Sequence, residues 1–74
     1  MEQFQLAQRI RAFRKLKGMT QDEFARKLGV SIAVLGSIER GTRRADAKII
    51  HKIAESLEIG VDELLPNTTY SERK

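Results

Sequence analysis

The chain has 74 residues, no cysteine and one histidine, and its 14 basic and 10 acidic residues give a net charge of +4. This length leaves room for one small domain with a single core, and the lack of cysteine excludes disulfides and thiolate metal sites. The excess of positive charge favours an acidic partner, with nucleic acid as the first candidate.

The positive charge lies in the first part of the chain. Residues 1–44 hold ten basic and four acidic residues, a net charge of +6, whereas residues 45–74 hold four basic and six acidic residues, a net charge of −2. The start of the chain lacks the features of a signal peptide, and the longest strongly apolar run, Ile32 to Leu35, is too short to span a bilayer. We therefore expect a cytoplasmic protein without a membrane partner.

The first three helices are predicted from helical spacing of apolar residues and from their caps. The first helix runs from about Gln3 to Lys17 and stops before Gly18. The second begins at the capping box formed by Thr20 and Glu23, and it ends at Gly29. The third follows the cap at Ser31 and runs to about Arg40, where Gly41 ends it.

Two further helices complete an all-α pattern. A fourth helix is predicted after Asp46 and through Leu57, with Gly60 as its breaker. A short fifth helix covers Val61 to Leu65 and ends at Pro66. Residues 1–66 thus form the predicted domain, and residues 67–74 a polar, flexible tail.

Helices two and three are close enough in sequence to form a helix-turn-helix. The two helices approach closely at Ala25, which is small, and the sharp turn favours a residue that tolerates positive φ, supplied by Gly29. Their shared core is expected to contain the apolar residues Phe24, Leu28, Val30, Leu35 and Ile38. Seven matching positions between Phe24 and Ile38 make this a more specific signal than any single glycine motif.

These residues carry a family resemblance over about residues 6–65. The chain resembles the lambda-repressor/Cro-type (XRE-type) DNA-binding domain in the segments RIRAFRKLKGMTQDEFARKLGVSIAVLGSIERG and KIAESLEIGVDELL. The resemblance implies a compact bundle of five helices. It also implies binding of double-stranded DNA as a dimer, with the third helix acting as the recognition helix in the major groove.

The resemblance implies roles for individual residues as well. Thr20 and Gln21 lie at the start of helix two, where the family contacts phosphate and where free N–H groups attract an anion. Residues that match base-facing or backbone-facing positions of the recognition helix are Ser31, Ile32, Ala33, Val34 and Ser37. Residues that match phosphate contacts are Arg40, Thr42, Arg43 and Arg44. Arg14 and Glu39 match a pair that forms an internal salt bridge in several members.

The resemblance also implies a dimer interface near the fifth helix, which here would contain Ile59, Val61, Leu64 and Leu65. The chain has more apolar residues than one face per helix can bury, including Phe4, Leu16 and Ile49. Scattered surface apolarity is common in monomeric proteins, so the excess alone does not distinguish an interface from an ordinary surface.

The recognition helix departs from the family pattern. The family usually places Gln, Arg, Asn, Ser or Thr on its exposed face, whereas this chain has Ile32, Ala33, Val34, Gly36 and Ser37. Apolar side chains cannot make the bidentate hydrogen bonds that distinguish guanine from adenine, but they can contact thymine methyl groups. We therefore expect an AT-containing site that is bound largely through phosphates and DNA shape.

Together these patterns predict a transcriptional regulator, most simply a repressor, that binds a pseudo-palindromic operator as a homodimer. The alternative is a protein-interaction module, such as an antitoxin or anti-repressor, that uses the apolar face of helix three. The sequence offers no nucleophile–base set, phosphate-binding loop or metal cluster, so neither an enzyme nor a cofactor or metal site is expected.

Overall fold

The computed structural model describes the backbone of residues 2–65 and the side chains of residues 5–65. Within that range the chain forms five helices and no strand: α1 (Glu2–Leu16), α2 (Gln21–Leu28), α3 (Ile32–Arg40), α4 (Ala47–Leu57) and α5 (Val61–Leu64). The predicted all-α, five-helix fold is confirmed. The predicted tail at 67–74, and Pro66 before it, lie outside the described residues.

The helices α2, α3 and α4 begin at the predicted N-caps. Thr20 Oγ1 accepts a hydrogen bond from Glu23 N–H at 3.1 Å, and Glu23 Oε1 accepts one from Thr20 N–H at 2.9 Å. Ser31 Oγ and Asp46 Oδ1 each accept from the backbone N–H three residues later, at 3.1 and 2.9 Å. Each cap gives a partner to a backbone N–H group that has no acceptor inside its helix.

The glycines at 29 and 41 end α2 and α3 in the left-handed conformation, with φ of 76° and 78°. The prediction that Gly60 ends α4 is wrong, because Glu58 adopts the left-handed conformation at φ 61° and closes the helix two residues earlier. Ile59 N–H then bonds to Ala54 O at 3.0 Å, and the Ile59 side chain packs against the core. This packing stabilises the left-handed conformation at Glu58. Gly60, at φ −80°, is instead the residue before α5.

All five helices contribute to one apolar core. Phe24, Leu35 and Ile53 have no exposed surface, and they lie on α2, α3 and α4 respectively. Burial of an apolar side chain of this size contributes about 1.5–3 kcal/mol. The helix α3 packs against both α1 and α2, so its inner face is fixed and only its outer face remains available for a ligand. Among the described residues, no helix is both long enough and apolar enough to cross a membrane.

Substitution of Gly29 tests the backbone requirement of the turn between α2 and α3. A Cβ at this position would meet nothing closer than Lys52 Nζ at 4.0 Å, so alanine adds only the cost of the left-handed conformation. We expect Gly29→Ala to lower the free energy of unfolding by about 1 kcal/mol, measured by urea denaturation.

The matched control is Glu58→Gly, which places glycine in the same conformation at the end of α4. Relief of the left-handed strain opposes the larger unfolded-state entropy of glycine, so we expect a gain of less than about 1 kcal/mol. Equal losses from the two substitutions would contradict this account of the helix ends.

Candidate nucleic-acid interface

The first turn of α3 carries exposed side chains. Ser31, Ile32 and Ala33 are exposed, and Ile32 keeps 48% of its surface accessible although it is large and apolar. Leu35 and Ile38 are buried on the opposite side of the helix. The inner residues therefore fix α3 so that its N-terminal turn points outward, which is the geometry that a helix entering a major groove requires.

Three residues expected on the exposed face of α3 are placed differently. Gly36 is buried, Ser37 is half-buried, and Val34 is half-buried and packs against the core. Gly36 faces the start of α2, since a Cβ on it would lie 4.0 Å from Gln21 Nε2. The prediction that these positions lie on the exposed face is wrong for Gly36, which the Arg40 and Gln21 side chains border, and Val34 and Ser37 are only partly exposed. The outward face is consequently narrower than the sequence indicated.

A buried ion pair joins α1 to α3. Arg14 Nε donates to Glu39 Oε2 at 2.7 Å and Arg14 Nη2 donates to Glu39 Oε1 at 3.1 Å, and the two side chains are 8% and 2% exposed. The third guanidinium nitrogen, Nη1, donates to Met19 O at 2.8 Å. The planar guanidinium thus binds the carboxylate through two parallel bonds and also holds the turn before α2.

The side chain of Gln21 belongs to the same network. Its Nε2 donates to Glu39 Oε1 at 3.1 Å, which leaves the second N–H of that amide available. The backbone N–H groups of Gln21 and Asp22 begin α2 and have no acceptor within the helix. The start of α2 therefore offers several donors at a point held against α3. The residues Gln21 and Glu39 lie 18 positions apart, so sequence spacing gave no sign of their contact.

The basic loop after α3 folds back onto the last turn of that helix. Ser37 O accepts from Thr42 N–H at 3.0 Å, from Arg43 N–H at 3.3 Å and from Thr42 Oγ1 at 3.2 Å. These bonds hold Arg43 and Arg44, which are exposed, next to the end of α3. Arg40 is exposed as well, and its Nη2 donates to Ser37 Oγ at 3.4 Å.

The structure thus brings most of the candidate DNA-contacting residues close to α3. The α2 start, with Thr20 and Gln21, adjoins α3 through Glu39, and the basic loop adjoins it through Ser37, so both contacts lie in the C-terminal half of the helix. The exposed first turn of α3 lies at the opposite end. Donors beside an outward-facing helix can bind phosphates and so position the protein, while the helix itself contacts the bases.

The candidate dimer residues form a second surface near α5. Ile59, Val61 and Leu65 are half-buried and pack against the edge of the core. Leu64 is only 1% exposed and fills the protomer's own core, so its assignment to a dimer contact is corrected to a structural role. Leu16, at the end of α1, is 77% exposed. The side chain of Phe4 lies outside the described residues.

Comparisons with known proteins agree with this architecture. The family model HTH_3, described as helix-turn-helix, matches residues 10–64. An uncharacterized HTH-type transcriptional regulator, YazB of Bacillus subtilis, is 59% identical over 58 residues, which cover 78% of this chain and 84% of that protein. The HTH-type transcriptional regulator SinR of Bacillus subtilis is 36% identical over 61 residues, which cover 81% of this chain and 55% of SinR.

Solved structures show the same fold. The restriction-modification controller protein C.AhdI from Aeromonas hydrophila superposes with a TM-score of 0.79 at 34% identity, over 82% of this chain and 92% of that one. The clp gene regulator ClgR from Corynebacterium glutamicum gives a TM-score of 0.86 at 26% identity, over 99% of this chain and 78% of that one. These similarities are to transcriptional regulators and not to enzymes, as the sequence predicted.

Substitution of Glu39 tests the buried ion pair. Glu39→Gln leaves the Arg14 charge in the interior without its counter-charge, and we expect the free energy of unfolding to fall by about 3–5 kcal/mol. Chemical denaturation of the variant measures this change. An unchanged midpoint would contradict the structural importance of the pair.

The exposed ion pair between Asp22 and Arg26 provides the control. These side chains are 55% and 77% exposed and lie at 2.8 Å. Asp22→Asn removes the same kind of charge from water-accessible surface, so we expect a loss below about 1 kcal/mol.

Proposed function

Because the chain belongs to the HTH_3 family of helix-turn-helix proteins, we propose that it is a transcriptional regulator that binds double-stranded DNA as a homodimer. The observation that supports this most directly is the exposed first turn of α3, together with hydrogen-bond donors from the start of α2 and from the loop after α3. The simplest regulatory outcome is repression, in which the bound protein occludes a promoter.

In this proposal α3 enters the major groove and the flanking donors hold the phosphate backbone. The start of α2, at Gln21, and the loop residues Arg43 and Arg44 bind this backbone. Phosphate contacts position the protein without reading sequence, whereas contacts to base edges discriminate between sequences. In this proposal Ile32 and Ala33 contact thymine methyl groups and the half-buried Ser37 contributes a hydroxyl toward the bases, so the proposed site contains A·T pairs.

The proposed homodimer forms through the surface near α5. Ile59, Val61 and Leu65 would pair with the same residues of a second copy, since a two-fold interface uses one patch twice. Two recognition helices would then enter successive major grooves about 34 Å apart, and the operator would be pseudo-palindromic. In this arrangement the exposed arginines of the loop after α3 face DNA, and the acidic second part of the chain contains the dimer contact. The proposal includes a cytoplasmic location, where the DNA of organisms such as Bacillus subtilis lies.

One observation favours a second function. Ile32 is exposed on α3, and an apolar helix face also suits docking on another protein. A protein-interaction module of this kind would not need phosphate contacts. Failure of the chain to bind any DNA at low salt would therefore favour this alternative over the DNA-binding proposal.

Salt-dependent gel-shift titrations test the DNA-binding proposal. Binding should weaken steeply with salt, because each neutralised phosphate contributes about 0.9 to the slope of log affinity against log salt. We expect Arg43→Ala to weaken all DNA sequences about equally and to lower that slope by about 1.

Ser37→Ala is the comparison variant, because this side chain is assigned to the bases. We expect it to change the order of preference among selected DNA sequences while the salt slope stays constant. Equal, sequence-independent losses from the two variants would mean that their roles are assigned wrongly.

Sedimentation of Val61→Glu tests the dimer interface. A carboxylate in a paired apolar surface loses its water shell, so we expect a monomer that binds operator DNA weakly. Leu16→Glu is the matched control, since it changes a more exposed apolar residue outside the proposed interface. Circular dichroism checks that both variants remain folded. A dimeric Val61→Glu, or a monomeric Leu16→Glu, would contradict the proposed surface.

A further inference from the structure

Gly36 lies in the interior of α3, where the backbone conformation does not require glycine. Unlike Gly29 and Gly41, it does not have a positive φ, and it occupies the middle of a regular helix. Glycine weakens a helix interior relative to alanine because it loses more backbone freedom on folding. Alanine at this position would therefore stabilise α3 more than glycine does, unless the absence of a side chain has a function of its own.

A Cβ on Gly36 would meet only the ends of two flexible side chains. It would lie 3.2 Å from Arg40 Nη1 and 4.0 Å from Gln21 Nε2, and apart from its chain neighbours and the backbone of α3 no other described atom lies within 4 Å of it. The Arg40 guanidinium would have to move by a few tenths of an ångström. Alanine can therefore be accommodated by the fold, but not with Arg40 in its present place.

Arg40 folds back along α3 into the space above Gly36. Side chains on a helix point toward its N-terminus, which carries the Arg40 side chain over the residues three and four positions earlier. Its Nη2 accordingly reaches Ser37 Oγ at 3.4 Å, and its Nη1 lies over Gly36, which the Gln21 amide also borders. The last residue of α3 and the first residue of α2 thus present their donors at one place.

Arg40 has no carboxylate partner among residues 5–65, in contrast to Arg14 and Arg26. The Gln21 amide beside it is held by Glu39 and keeps one N–H available. Both nitrogens lie within about 4 Å of the position of a Gly36 Cβ, and charge-assisted bonds to an anion measure roughly 2.8 Å. One phosphodiester group is therefore of the right size to accept from both donors.

We propose that Gly36 is a positioning residue for DNA binding, because its missing side chain lets the Arg40 guanidinium lie beside the Gln21 amide. The inference rests on the proposed function and assigns a role to a residue that does not itself contact DNA. A side chain that extends beyond Cβ, such as leucine, would occupy the place where the guanidinium lies. The charge of the protein is then unchanged, but one phosphate contact is lost.

A double-mutant cycle on a random-sequence DNA duplex at low salt tests the proposal. We expect Gly36→Leu to bind about fivefold more weakly than the wild type, with the salt slope reduced by about 0.9. Gly36→Ala, which moves Arg40 by only a few tenths of an ångström, should melt no lower than the wild type and bind within about twofold of it. Since the net charge is constant, a changed slope reports a lost contact. In the Arg40→Ala background, Gly36→Leu should have no further effect on binding.

The outcomes separate the two proposals. A wild-type protein that does not bind the duplex refutes the proposed function. A wild type that binds, together with a Gly36→Leu variant that binds equally well or loses the same amount in both backgrounds, overturns the role of Gly36. If Gly36→Leu does not fold, the smaller Gly36→Val is taken through the same cycle: a loss that disappears in the Arg40→Ala background supports the role, and binding like the wild type overturns it.

Discussion

The buried pair between Arg14 and Glu39 sets the position of α3 relative to the rest of the molecule. Apolar burial drives the helices together, but it is not directional and does not by itself fix how far one helix slides or turns against another. A guanidinium and a carboxylate joined by two parallel bonds do fix that position. Neither charge tolerates burial alone, so any shift of α3 that separates them carries a large desolvation cost.

The same pair connects the two helices assigned to DNA. Arg14 holds the turn before α2 through Met19 O, and Glu39 holds the first residue of α2 through the Gln21 amide. Among the described residues, no buried side-chain nitrogen or oxygen lacks a partner. The start of α2 and the outer face of α3 are thus set by one network. For the proposed function, this makes the phosphate donors and the base-facing turn a single rigid unit.

Features determined by neighbouring residues could be predicted from the sequence. The capping box of Thr20 and Glu23, and the left-handed glycines at 29 and 41, follow from local backbone chemistry and appear as expected. Features determined by packing could not be predicted from the sequence in this way. Glu58 closes α4 because Ile59 packs on the core, and Leu64 faces inward because α5 lies against α1 and α4. The contact between Gln21 and Glu39 depends on the relative placement of two helices, which spacing along the chain does not encode.

The weak polar character of the first turn of α3 limits how much sequence one protomer can read. Ile32 and Ala33 distinguish a thymine methyl group from its absence, whereas bidentate side chains distinguish all four base pairs. On the proposed function, each half-site would then contribute little discrimination of its own. Two half-sites at a fixed spacing multiply these small preferences, because costs of mismatched base pairs add across well-separated positions. Rigid placement of α3, through Arg14 and Glu39, would therefore contribute to specificity by holding that spacing constant, and not only to stability.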